Sequence, residues 1–85
     1  MSLPIVMYGA TDCDDTEAVR HYLTTHHIAF RDVNIDEDDV ANQFVIFING
    51  GFRSTPTLVL GNGKHKTILT EPTPIEIETI LKSMI

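Results

Sequence analysis

Residues 36–50 read DEDDVANQFVIFING, and the conformation of this stretch decides the fold. Taken alone, its segment FVIFI (44–48) fits a buried strand as well as a helix. The flanks favour the helix. Asp36 or Asp38 is a candidate N-cap, the acids fall in a first turn where the macrodipole favours negative charge, and Asn49-Gly50 is a stop signal. Val40, Phe44, Phe47 and Ile48 then form the expected buried stripe. Val45 and Ile46 extend the apolar surface beyond it, which implies either deep burial or a face for a partner.

With a helix at the centre, the neighbouring segments fall into order. PIVMY (4–8) is a short apolar run ended by Gly9, as in a buried strand. Over 14–26, Ala18, Val19, Tyr22 and Leu23 recur at helical spacing, with Arg20, His21 and Thr24 on the other side. IAFRDVNI (28–35) alternates, placing Ile28, Phe30, Val33 and Ile35 inward as a second strand. A strand–helix–strand crossover of this length implies a parallel pair. After the central helix, TLVL (57–60), GNGKH and KTIL (66–69) read as a hairpin with a glycine-containing turn. Ile77, Ile80, Leu81 and Met84 mark a last helix, with Pro74 in its first turn. The expected class is α/β, in the order β-α-β-α-β-β-α. It predicts a four-stranded mixed sheet with helices on both faces, one domain over 1–85.

Composition narrows the function. Eighty-five residues allow one modest core, and the net charge of −6 removes the electrostatic basis for binding nucleic acid or an anionic membrane. No apolar run approaches the roughly 20 residues of a membrane span, and MSLPIVMY lacks a basic leader region. One cysteine excludes an internal disulfide, whereas a secreted domain of this size often relies on several. The expectation is a cytoplasmic protein, monomeric or weakly homodimeric.

That cysteine lies in YGATDCDDTEAV (8–19), where the first strand meets the first helix. Free amides at a helix start stabilise a thiolate, the nucleophilic form of the side chain. Asp12, Asp14 and Asp15 oppose it. A unit charge ~7 Å away costs a thiolate about 0.6 kcal/mol in water-like surroundings and roughly 2.4 at an effective dielectric near 20. A helix end contributes about 0.3–2 kcal/mol the other way. The two effects roughly cancel, which predicts an ordinary thiol acidity for Cys13.

Three motifs carry a resemblance. A strand ending MYG leads into Cys13 at a helix start. GGFRSTPTLVL (50–60) is similar to a G-x-R-T-V-P-x-x-x-I segment whose proline is cis. GKHKTILTEPTPIEIETIL (63–81) resembles the tail of mycoredoxin-type proteins and of glutathione-transferase N-terminal domains. In this order they resemble the glutaredoxin branch of the thioredoxin fold. The resemblance implies that Cys13 is the nucleophile. It also implies that Thr55 offers backbone groups to substrate beside the cysteine, with Pro56 fixing their direction. Gln43 and Arg53 fall where the family holds the glycyl carboxylate of glutathione, and Glu71 and Thr73 near its γ-glutamyl end.

The chain also departs from that pattern. The family's C-P-x-C or C-G-F-S becomes Cys13-Asp14-Asp15-Thr16, and Ala10 stands where a basic residue is common. Thr16 replaces the resolving thiol, so turnover would be monothiol, with a hydroxyl left to support Cys13. The implied activity is thiol–disulfide exchange in redox homeostasis and electron transport. Its partners would be small thiols and protein mixed disulfides, with glutathione or another low-molecular-weight thiol as co-substrate and no bound cofactor. The alternative is a redox-inactive binding module using the groove beside Pro56 or the helix around Val45 and Ile46. No metal is expected. DCDD lacks calcium-loop spacing, two aspartates stand where cluster-binding relatives have Gly-Phe, and the acidic run 36–39 reads as a solvated first turn.

Overall fold

The computed structural model describes residues 3–61 and 63–84; Asn62, in the expected Gly61–Gly63 turn, and the Met1-Ser2 start lie outside the described residues. The elements are β1 (Ile5–Gly9), α1 (Asp14–Thr25), β2 (Arg31–Asn34), α2 (Asp39–Ile48), β3 (Thr57–Leu60), β4 (Thr67–Thr70) and α3 (Pro74–Met84), with a single 3₁₀ turn at Gly63–His65 before β4. The sheet order is β2-β1-β3-β4. β1 runs parallel to β2, pairing Val6 with Arg31 and Gly9 with Asn34. β3 is antiparallel to both β1 and β4. This mixed sheet with its three helices is the thioredoxin fold.

Alternation along β1 and β3 divides the core. Ile5, Met7, Leu58 and Leu60 point to one face, where they pack with Val19 and Leu23 of α1 and Ile77 of α3. Tyr8 points to the other and joins Val33, Ile35 and the α2 residues Ala41, Phe44 and Val45. The Tyr8 and Phe44 rings lie 5.1 Å apart. α1 and α3 thus cover one face and α2 the opposite one.

The central helix forms, but its buried stripe is rotated from the expected one. Val40 is 80% exposed and Phe47 83%, while Ala41 and Val45 are buried and Phe44 and Ile48 partly so. Residues 41, 44, 45 and 48 satisfy the same spacing, and every position from 44 to 48 is apolar, so the pattern alone does not choose the face. Asp38, not Asp36, is the cap; its carboxylate accepts from the Ala41 amide at 3.0 Å. At the other end the Gly50 and Gly51 amides bond the Phe47 and Ile46 carbonyls, with Gly50 at φ +70°, in a Schellman closure.

Smaller corrections follow from burial. Thr16 replaces Ala18 on the buried side of α1. β2 begins only at Arg31, so Ile28 and Phe30 pack from the loop before it. β4 lies one residue later than expected, and Met84 is exposed where Ile77, Ile80 and Leu81 are inward.

Candidate functional site

Three segments meet at Cys13: the loop leaving β1, the start of α1 and the loop entering β3. Cys13 is the N-cap residue of α1, its carbonyl accepting the first helical bond from Glu17 at 3.0 Å. Its side chain makes no cap bond to the backbone it precedes. The sulfur is half-buried. Across from it, Thr55 approaches with its hydroxyl 3.4 Å and its carbonyl oxygen 3.8 Å from Sγ. The Thr55–Pro56 peptide bond is cis, and Pro56 is fully buried.

Thr16 is fully buried beneath the sulfur's end of the helix, and its Oγ1 accepts a long bond from the Ala10 amide, 3.4 Å. Gly9 makes that position possible, because a Cβ on residue 9 would lie 2.4 Å from the Thr16 Cγ2. The Thr16 hydroxyl first, and the Thr55 hydroxyl second, lower the Cys13 thiol below its ordinary pKa against partial burial, which raises it; the Thr16 and Asp15 amides add a smaller contribution as free donors at the helix start, without a hydrogen bond to the sulfur. Charge counting in the sequence predicted cancellation. The Thr55 hydroxyl 3.4 Å from Sγ, with the Thr16 hydroxyl behind it, moves the balance toward the thiolate.

The remaining expected site residues divide. Glu71, at φ +47°, donates its amide to the Pro56 carbonyl at 2.8 Å and so lies beside the proline turn. Thr73 caps α3 in a reciprocal box: its hydroxyl accepts from the Glu76 amide at 3.2 Å and its own amide donates to the Glu76 carboxylate at 3.0 Å. The Thr73 amide therefore already serves Glu76. Gln43 is exposed on α2, next to Asn42.

Arg53 departs most from expectation. Its guanidinium is bound to the Asp36 carboxylate and, through Nε at 2.7 Å, to the Asn42 side-chain carbonyl. The other Asp36 oxygen accepts from the Thr11 amide at 2.8 Å. The Thr11 amide first, and Arg53 second, hold the Asp36 carboxyl below the usual carboxylate range. Asn34 completes this corner, donating to Thr11 Oγ1 at 3.0 Å and accepting from the Asp36 amide at 2.9 Å. Sequence reading took Asp36 for a first-turn acid. Only the fold brings residues 11, 36, 42 and 53 together, so no local spacing signals them.

Other features lie apart from this site. A hollow of about 1130 Å³ opens between β1 and the ends of α1 and α3, lined by Ile5, Tyr22, Ile28 and Leu81 among others, and no residue around Cys13 reaches it. Among the described residues, no three His, Cys, Asp or Glu side chains converge as a metal site, and no helix is long and apolar enough to cross a membrane.

Known proteins share this fold and part of this sequence. The Glutaredoxin family model matches residues 5–66. The Mycobacterium tuberculosis (strain ATCC 25618 / H37Rv) protein named "Putative glutaredoxin Rv3198A" is 30% identical over 77 residues, 91% of this chain and 88% of that protein. The "Glutaredoxin-like protein NrdH" of Lactococcus lactis subsp. cremoris (strain MG1363) is 33% identical over 54 residues, covering 64% of this chain and 72% of its own. Among solved structures, Malassezia sympodialis thioredoxin superposes with a TM-score of 0.69 at 17% identity, over 96% of this chain and 74% of that one. A sulfur at a helix start facing a proline turn, on this sheet and with these relatives, places the chain in the glutaredoxin family of thiol–disulfide oxidoreductases.

Proposed function

We propose that the chain is a monothiol oxidoreductase that acts through Cys13 on mixed disulfides of glutathione or a similar low-molecular-weight thiol. The observation that carries this reading is the sulfur itself, half-buried at the start of α1 with the Thr55 hydroxyl 3.4 Å away. The Cys13 thiolate attacks one sulfur of the disulfide. An S–S bond forms to Cys13 as the substrate S–S bond breaks, and the departing thiolate takes a proton from solvent. Thr16 has no sulfur with which to resolve the intermediate. A second small thiol, as its thiolate, attacks the captured sulfur and releases Cys13. The two electrons that reduce the substrate come from the two small-thiol sulfurs, which leave joined as a disulfide.

In this reading Thr16 and Thr55 stabilise the thiolate, Pro56 shapes the wall beside it, and Thr55 offers its backbone to the substrate. Gln43, Arg53, Glu71 and Thr73 border the groove. The chemistry needs a pool of reduced thiol, which fits a cytoplasmic site of action and small thiols and protein mixed disulfides as partners. The test is release of glutathione from a glutathionylated peptide. Wild type turns over and Cys13→Ala does not; equal rates for the two overturn the proposal.

A second reading, a redox-inactive binding module, draws on Phe47 and Phe52, which are exposed at 83% and 70%. Of the anchors expected for it, Val45 is fully buried and Ile46 partly buried, which leaves the groove beside Pro56. A lowered thiol pKa favours exchange over the module.

A further inference from the structure

We propose that Asp36 sets the charge preference of the Cys13 site, by occupying Arg53 and leaving the groove without a free cation for carboxylate-bearing substrates. The inference rests on the exchange reading above and ranks its substrates: among mixed disulfides of small thiols, those with cationic or neutral flanks are used faster than carboxylate-rich ones such as glutathione's. Asp36 joins the two walls of the site. One oxygen accepts from the amide of Thr11, two residues before Cys13. The other binds the guanidinium of Arg53, two residues before Thr55, whose hydroxyl touches the sulfur.

The geometry fills one edge of the Arg53 guanidinium and balances its charge. A guanidinium binds a carboxylate best through paired N–H groups, and here those groups point to the Asp36 carboxylate and to Asn42 Oδ1. A ligand carboxylate that takes the same edge must displace Asp36, which also anchors the Thr11 loop, and one that approaches Nη1 meets a charge already balanced by Asp36. Around the sulfur, Asp12, Asp14 and Asp15 are exposed acids, and Glu71 stands beside Pro56. None of these carboxylates is matched by a cation in the ion pairs among the described residues. An anionic substrate therefore meets uncompensated negative charge, and a cationic one is drawn toward it.

The test uses three mixed disulfides of one fluorescent peptide thiol, capped with 2-aminoethanethiol, 2-mercaptoethanol or 3-mercaptopropionate. Excess 2-mercaptoethanol is the resolving thiol throughout. The readout is the ratio of kcat/KM for the cationic to the anionic substrate, which a merely structural role for Asp36 would not change. Wild type is expected to favour the cationic substrate by about tenfold. Asp36→Asn keeps an acceptor for Thr11 and removes the charge; it lowers the ratio by roughly threefold to tenfold, mainly through faster use of the anionic substrate. Adding Arg53→Gln abolishes that gain, because the freed cation is then missing. Asp36→Ser is the second single variant should the amide disturb folding.

An unchanged ratio in the Asp36 variants, or a gain that survives loss of Arg53, overturns the proposal. Wild type no faster than Cys13→Ala on all three substrates overturns the exchange reading, and this proposal with it. Turnover without charge preference overturns this proposal alone.

Discussion

At Cys13 the deciding residue is Thr16, a side chain that replaces a resolving thiol and keeps a hydroxyl beneath the sulfur. Its hydroxyl is the largest influence lowering the Cys13 pKa, ahead of Thr55. Thr16→Val preserves the shape and removes the donor. The midpoint of Cys13 alkylation against pH should therefore move up, with slower reaction at neutral pH. The linkage has a definite sign. A thiol whose folded pKa is depressed stabilises the fold above its unfolded pKa, and that contribution is lost as pH falls through the folded value. Gly9 is required for the same reason Thr16 is well placed. Gly9→Ala brings a methyl to 2.4 Å from Cγ2 and should cost about 1–3 kcal/mol in urea unfolding. The meeting of Cys13 with Thr55 and the cis bond before Pro56 were legible in the sequence, because each segment belongs to a local motif. Asp36 was not, since one acid in a run of four resembles its neighbours until the chain folds.

Among the elements, the helix ends explain why the boundaries were readable. Thr73-x-x-Glu76 forms its capping box, and Thr73→Ala should destabilise the protein by about 1 kcal/mol, seen as a shift in the urea midpoint. α1 closes differently. The His27 and Ile28 amides bond the Thr24 and Leu23 carbonyls, a Schellman pattern with His27 at φ +56° where glycine is usual. His27→Gly should raise stability by roughly 0.5–1 kcal/mol in the same measurement, because glycine adopts that backbone without a Cβ clash. The face of α2 was the element-level error. A helix apolar on almost every side carries too little periodicity to fix its rotation. The choice was made by what the sheet offers, a surface of Tyr8, Val33 and Ile35 onto which small Ala41 and Val45 fit.

Across the whole molecule, one sheet holds two unequal cores. The α1/α3 side contains the larger one, with Met7, Leu23, Leu58, Leu60 and Ile77 all fully buried. Leu58→Ala should lose about 2–5 kcal/mol, a large share of the 5–15 typical of a domain, and calorimetry should show a much lower Tm. The parallel β1–β2 pair and the β3–β4 hairpin were readable because a crossover and a hairpin each leave few choices of pairing, whereas the order β2-β1-β3-β4 appears only in the folded sheet. The charge layout was not readable, because contacts such as Thr11–Asp36–Arg53 span long stretches of chain. That layout leaves carboxylates around a sulfur which hydroxyls and helix amides nonetheless hold toward the thiolate. The most direct measurement is the pH dependence of Cys13 alkylation in the folded protein, set beside the same chain unfolded in urea. A lower midpoint in the folded protein is the predicted result. A midpoint equal to or above that of the unfolded chain would contradict it.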